Sequence, residues 1–337
     1  MSIAFAYAAT RIKGLKSKLL SETRLRQLLE VKTIPEMIQL LEESDYKEDF
    51  VSMSTKYSDL ELVMRALHED FRSTLRKLIK ISPKDGKEAL GILLKEYEIQ
   101  TINAIIASKS TGTPLLETDL TFVDPSSEKL IQKIMAAASV EDVLLKLKGT
   151  EYASKIRKAA KEYESTKDFR VITRALNVHY FELLKTLNTK KYGLLWELIE
   201  SKNNIKNLMV VLRIKQKNPN ADASKYFVMR DKFGLELNKI NEFPKILERV
   251  AQKYPQITQA VNESAKANSL IPLEIALEGQ MVKRTLRILR LGVMNFAAIL
   301  GYLYLKELEI SEIRKIAYAK KYDFTDDLKS MVYSFNA

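Results

Sequence analysis

Two histidines and one cluster of aspartates are the residues whose types suggest chemistry in this 337-residue chain. His179 and Glu182 are three residues apart, so on a helix they share a face and could share a metal ion. A di-metal site in a helical bundle needs Glu-x-x-His on two helices, and this pattern is missing from the sequence. Asp323, Asp326 and Asp327 lack the ligand spacing and the glycine of a calcium loop. We therefore predict no metal site and interpret His179 as a surface or interface histidine.

The sequence also lacks the common nucleotide-binding and nucleophile motifs. Gly14-Leu15-Lys16-Ser17 pairs a lysine with a serine, but it lacks the glycine spacing with which a P-loop cradles phosphate. Neither G-x-G-x-x-G nor G-x-S-x-G occurs. The absence of cysteine excludes disulfides, thiolate nucleophiles and iron–sulfur clusters. We predict no catalytic residue and no cofactor, so an all-helical enzyme is the least favoured interpretation.

Positive charge is the most prominent chemical feature that remains. The net charge is +12, which attracts nucleic acid, anionic lipid headgroups or acidic proteins. The densest basic stripe near the start is Arg11, Lys13, Lys16 and Lys18, in which positions 11 and 18 align two helical turns apart. We interpret this stripe as a partner interface, with a solvated helix face as the other interpretation. Nucleic-acid readers usually add stacking aromatics or glycine-rich segments, and neither is evident here.

The elements that carry these residues are predicted to be helices. The chain is 46% hydrophobic but contains only ten glycines and eight prolines, the residues that turns consume and helices avoid. Apolar positions recur at helical spacing, as in Ile34, Met37, Ile38 and Leu41. The longest uncharged run, Leu291 to Leu305, is 15 residues long, which is shorter than the ~20 apolar residues of a membrane span. It reads instead as a buried helix.

A cap followed by a tyrosine occurs three times along the chain. Thr33 precedes Glu36 by three residues, a capping box, and Ser139 precedes Asp142 in the same way. A tyrosine follows each cap at an identical distance in the sequence, at Tyr46 and Tyr152. In the last third, Asn241 precedes Tyr254 by that same distance, although the segment between them matches poorly.

A second recurring segment closes each third. It consists of a polar residue, an isoleucine, two polar or small residues, and then isoleucine or leucine, and its first isoleucines are Ile102, Ile205 and Ile313. They follow the three tyrosines at nearly constant distances in the sequence. We predict three diverged copies of one helical unit at 1–112, 113–218 and 219–337, with the tyrosines and isoleucines as equivalent core positions. A unit with one apolar stripe cannot bury it alone, so neighbouring copies should pack together.

Both ends of the chain resemble the rotor-cap protein of archaeal and vacuolar-type ATPases, known as the C subunit in the archaeal machine and the d subunit in the vacuolar one. The matching segments are Tyr7 to Lys13 at the start and Tyr302-Leu303-Tyr304-Leu305-Lys306-Glu307-Leu308-Glu309-Ile310 with Ile313-Arg314-Lys315-Ile316 at the end. The resemblance implies an all-α fold of three pseudo-threefold-related helical bundles that form a funnel-like socket. It also implies a non-catalytic adaptor that turns with the rotor.

The resemblance further implies the partners and the location of the chain. The partners would be the proteolipid subunits of the membrane rotor ring and the central-stalk subunits D and F, at the cytoplasmic face of the membrane. The basic stripe would then face the ring or an anionic membrane surface, and nucleic acid is not an expected partner. The alternative is a helical-repeat scaffold or a nucleic-acid-binding module.

Overall fold

The computed structural model describes residues 3–115, 127–187, 192–291 and 296–323. Within these ranges the chain forms sixteen α-helices and no β-strand, which confirms the predicted all-α class. Of the Leu291–Leu305 run, residues 296–305 begin the last helix and are largely buried, whereas 292–295 lie outside the described part. Asp326 and Asp327 also lie outside it.

The helices fall into three runs of five after a single leading helix. The leading helix and the first run are α1 (Ile3–Lys16), α2 (Glu22–Glu30), α3 (Ile34–Glu42), α4 (Lys47–Met53), α5 (Asp59–Ile81) and α6 (Lys84–Thr111). The second run is α7 (Glu128–Met135), α8 (Val140–Leu147), α9 (Ala153–Thr166), α10 (Arg170–Lys185) and α11 (Gly193–Lys217). The third run is α12 (Lys232–Asn238), α13 (Phe243–Lys253), α14 (Thr258–Ala267), α15 (Ile271–Leu291) and α16 (Phe296–Tyr322).

Each run has three shorter helices followed by two longer ones, and the last of these we call the closing helix: α6, α11 and α16. Neither predicted boundary, at 112/113 or 218/219, interrupts a helix. Whether the three runs superpose as copies of one unit stays a prediction.

Local capping explains where the second helix begins in the first and second runs. Thr33 Oγ1 accepts a hydrogen bond from Glu36 N while the Glu36 carboxylate accepts from Thr33 N, so the predicted capping box at α3 is confirmed. At α8, Ser139 Oγ accepts from Asp142 N, and the Asp142 carboxylate accepts from Ala138 N. The predicted parallel fails at α13, whose N-cap is Glu242 without a side-chain bond.

The closing helices α6 and α11 pack with the following run, whereas α16 packs both with the first run and with α15 of its own run. Helix α6 packs against α7, α8 and α10, and α11 packs in the same way against α12, α13 and α15. Helix α16 returns to the beginning of the chain, where it packs against α1, α2, α3 and α5, and it also lies along α15. Helix α16 therefore completes the first group of helices.

The close approach of α15 and α16 depends on Gly301. A Cβ atom at this position would lie 2.7 Å from Leu289 Cγ, much nearer than side chains approach one another. Gly91 in α6 has no neighbour within 4 Å of the same position. A helical glycine therefore has a packing role at 301 and none at 91.

We expect Gly301→Ala to lower the free energy of unfolding by about 1–3 kcal/mol, because the new methyl group overpacks the α15–α16 contact. The matched change Gly91→Ala should be neutral or stabilising by up to ~1 kcal/mol, since alanine favours a helix over glycine. Chemical denaturation of both variants measures the difference. Equal stabilities would show that α15 and α16 are not closely packed at Gly301.

Candidate functional site

A buried ionic cluster joins α16 to the first run. The Tyr46 hydroxyl donates to Glu309 Oε1 at 2.6 Å and accepts from Lys306 Nζ at 2.9 Å. Lys306 Nζ also lies 3.0 Å from carboxylate oxygens of Glu309 and Asp70. The second Glu309 oxygen accepts from the backbone N–H of Leu20. We define the first ionic cluster as Tyr46, Asp70, Lys306 and Glu309. With the backbone of Leu20, it brings together four segments of the chain.

Burial and charge act together on the titration of the first ionic cluster. Burial, followed by the carboxylates of Glu309 and Asp70, raises the pKa of Tyr46 well above its usual range. Burial opposes the charge of Lys306, but the same two carboxylates outweigh it and raise the pKa of Lys306. The tyrosine therefore stays neutral and the lysine charged at physiological pH, so the hydrogen bonds described above persist.

A second ionic cluster repeats this arrangement between α6 and the second run. The Tyr152 hydroxyl donates to Glu98 Oε1 at 2.8 Å, and Lys95 Nζ lies 2.7 Å from both Glu98 and Glu151. The Ser127 hydroxyl donates to the other Glu98 oxygen at 2.7 Å. In both clusters a closing helix supplies a lysine and a glutamate three residues apart, and the glutamate accepts a hydrogen bond from a tyrosine of another run.

The same local turn places both tyrosines. Ser44 Oγ donates to Leu41 O at 2.6 Å and accepts from Tyr46 N at 3.3 Å. Thr150 Oγ1 makes the equivalent bonds to Leu147 O at 2.8 Å and from Tyr152 N at 3.3 Å. A hydroxyl two residues before each tyrosine ends the preceding helix and turns the chain inward.

At the third run, asparagine side chains of α11 occupy the junction, and Asn207 donates to the Asp231 carboxylate at 2.6 Å. On the closing helix α11, Leu198 and Ser201 occupy the positions of the lysine and the glutamate, counted back from the closing isoleucine. The side-chain amides of Asn203 and Asn207 donate to Met229 O at 2.9 and 2.8 Å. These bonds fix the segment that leads into α12.

The three closing helices also meet each other through charged and aromatic side chains. Lys202 and Lys206 of α11 lie 3.1 and 3.3 Å from Glu96 of α6. Burial would raise the pKa of Glu96, but the two ammonium groups outweigh it and lower the pKa to about 2. On the other side, Tyr97 of α6 donates to Glu307 of α16 at 3.4 Å. Helix α6 is therefore joined to both α11 and α16 by polar contacts.

A cavity of about 540 Å³ opens beside this junction, between α6, α10, α11 and α15. Its lining mixes aliphatic side chains with amides, and Asn103 donates to Asn177 at 3.2 Å across it. Arg213 and Glu274 form an ion pair of 2.6 Å at its edge.

Comparison with known proteins gives the family of the chain. Residues 8–330 match the family described as ATP synthase (C/AC39) subunit. The chain belongs to this family. Relatives named as the C subunit of the A-type ATP synthase include the Pyrococcus furiosus protein, 26% identical over 324 residues, which are 93% of this chain and 85% of that protein.

Two other archaeal proteins of the same name match over a similar length. The Methanocaldococcus jannaschii protein is 25% identical over 330 residues, covering 94% of this chain and 82% of that protein. The Haloquadratum walsbyi protein is 23% identical over 336 residues and is covered to 95%, as is this chain. None of the helices within the described ranges has both the length and the apolar character needed to cross a membrane.

The predicted core positions of this C/AC39 chain differ in how far they are buried. Tyr46, Tyr152, Ile102 and Ile313 are buried. Tyr254 is only partly buried and lies edge-on to Phe233, with ring centroids 6.0 Å apart. Ile205 is also only partly buried, because it borders the 540 Å³ cavity. A threefold rotation relating these positions stays a prediction.

The four residues of the predicted basic stripe differ in their exposure and in their ion pairs. Arg11 and Lys13 are exposed on α1, and neither forms an ion pair with another described residue. Lys18 instead pairs with Asp45 at 2.7 Å. Lys16 is partly buried, and burial followed by the nearby Arg290 lowers its pKa. Arg11 and Lys13 are therefore the members of the stripe best placed to meet a partner.

The ionic clusters were missed by the sequence analysis, although the sequence contains a signal for them. Lys95-Glu96-Tyr97-Glu98-Ile99 and Lys306-Glu307-Leu308-Glu309-Ile310 share the pattern K-E-x-E-I, seven residues before Ile102 and Ile313. A search for repeats that included charged residues as well as apolar ones would have found it. The sequence could not have shown which tyrosine bonds to each glutamate, because Tyr46 and Glu309 are 263 residues apart.

We expect Tyr46→Phe and Tyr152→Phe each to lower the free energy of unfolding by about 1–3 kcal/mol, because each removes a buried hydroxyl bonded to a charged group. Thermal or urea unfolding of the purified variants measures the loss. Tyr254→Phe is the matched control, since no described residue bonds its hydroxyl, and its effect should stay within ~0.5 kcal/mol. Equal losses at all three positions would contradict the role given to the two clusters.

Proposed function

We propose that this member of the C/AC39 family is the non-catalytic central-rotor subunit of a V/A-type ATPase or ATP synthase. In this role it links the membrane proteolipid ring to the central stalk and transmits torque during proton or sodium transport. The observation that carries the proposal is the family match, which spans residues 8–330 and so includes almost every described helix. The archaeal relatives, which share the name of an A-type ATP synthase component, support the same assignment.

The packing of the closing helices supports a socket of three bundles. We propose that the bundles are shifted by one helix from the sequence units: α16 with α1–α5, then α6–α10, then α11–α15. Each bundle would thereby borrow a helix from the preceding unit, and the chain would close on itself through the first ionic cluster. Shared long helices resist bending between bundles, which suits a part that must pass torque without deforming.

The proposed partners are the proteolipid ring on one side and central-stalk subunits D and F on the other, at the cytoplasmic face of the membrane. The exposed Arg11 and Lys13 support an electrostatic contact with acidic ring loops or anionic headgroups. Salt weakens contacts of this kind between exposed charges, because the Debye length shrinks to about 3 Å at 1 M.

Affinity purification of the tagged full chain from solubilised membranes tests the assignment. We expect ring and stalk subunits to co-purify, as identified by mass spectrometry. Recovery of the chain without any other ATPase component, together with RNA or DNA binding at physiological salt, would contradict the rotor role and favour the nucleic-acid alternative.

The contribution of the basic stripe is tested with Arg11→Gln/Lys13→Gln. We expect this double variant to leave isolated rings at a lower salt concentration than the unmodified chain, because two exposed cations are lost. The control is Lys148→Gln/Lys239→Gln, which removes the same charge from exposed positions elsewhere. Identical salt profiles for the two double variants would exclude the stripe as the ring contact.

A further inference from the structure

His179 is the most unusual polar side chain outside the clusters described above. It is only 6% exposed, yet neither ring nitrogen has a hydrogen-bond partner among the described residues. Buried polar groups are nearly always hydrogen-bonded, and a lone unsatisfied group costs about 1–3 kcal/mol. The sequence analysis interpreted this histidine as a surface or interface residue, and its burial corrects the surface interpretation.

His179 lies in the wall of a cavity of about 290 Å³ between α9 and α10. Its ring packs edge-on to Tyr152 of the second ionic cluster, with centroids 5.7 Å apart. The Tyr152 hydroxyl donates its hydrogen bond to Glu98 and forms none with the imidazole nitrogens. The cavity is large enough to hold several water molecules or a small ion.

Cations dominate the rim of this cavity. Lys155, Lys158 and Arg174 line it together with Glu162 and Glu182. Lys155 is neutralised by Glu182 at 2.7 Å. Lys158 and Arg174 are exposed and form no ion pair with any described residue. Two cations without an ion pair among the described residues, against one such carboxylate, Glu162, therefore line the cavity beside a buried ring that can donate a hydrogen bond.

We propose that this α9–α10 cavity binds a small oxyanion of the phosphate class. One imidazole nitrogen of His179 donates a hydrogen bond to the anion, and Lys158 and Arg174 supply the positive charge. An oxyanion fits better than a metal cation, because cations outnumber carboxylates on the rim. Within the described residues, no three potential metal ligands are grouped together. The inference is independent of the proposed rotor function, because it concerns the isolated chain.

Burial and the nearby charges together shift the pKa of His179. Burial, followed by Lys155, lowers its pKa below the usual value, and Lys95 of α6 acts in the same direction. Glu151 and Glu182 act in the opposite direction. A bound oxyanion would add negative charge beside the ring and raise the pKa again.

Proton NMR of the full chain tests the proposal, because the chain has only two histidines. In the His68→Gln variant, the imidazole signals arise from His179 alone. If that variant does not fold, the signals of the unmodified chain are assigned instead by their loss in His179→Gln. We expect 20 mM phosphate to raise the pKa of His179 by roughly 0.5 or more relative to chloride of equal ionic strength.

The double variant Lys158→Gln/Arg174→Gln identifies the site. It should abolish the phosphate effect while leaving the fold intact, since both side chains are exposed. A pKa that is equal in phosphate and chloride would overturn the proposal. A phosphate effect that persists in the double variant would overturn it too, since the anion would then bind elsewhere.

Discussion

The charge of Lys306 is the constraint on which the fold of this protein depends. Its ammonium group is almost completely buried and is satisfied by Tyr46, Asp70 and Glu309 together. An isolated buried charge costs several kcal/mol, so α16 is stable in the core only when the first run supplies its partners. This requirement selects one register of the last helix against the first run and closes the chain.

The same chemistry at Lys95 and Glu98 joins the first run to the second, but the third junction differs. There Asn203 and Asn207 bond to a backbone carbonyl, and the tyrosine is only partly buried. Among the described residues, the lysine–glutamate–tyrosine cluster of the other two junctions is therefore not repeated at the third.

The sequence alone predicted the helical class and the caps at Thr33 and Ser139, because these features depend on residues within a few positions of one another. It also identified Tyr46 and Tyr152 by their equal spacing from the caps. It could not assign Glu309 to Tyr46 or Glu98 to Tyr152, because a pattern of spacing does not show which helix a side chain meets. The partial burial of Ile205 and the cavity beside it likewise arise only when four helices pack.

The closure of the chain by α16 is tested most directly by hydrogen exchange with mass spectrometry on Glu309→Gln. This change removes a charge that Lys306 and the Leu20 amide both contact. The account predicts faster exchange in residues 34–53, which include α3 and α4, although the substitution lies near the opposite end of the sequence. Exchange in α7–α10 should stay unchanged. Faster exchange confined to α15 and α16 would contradict the account.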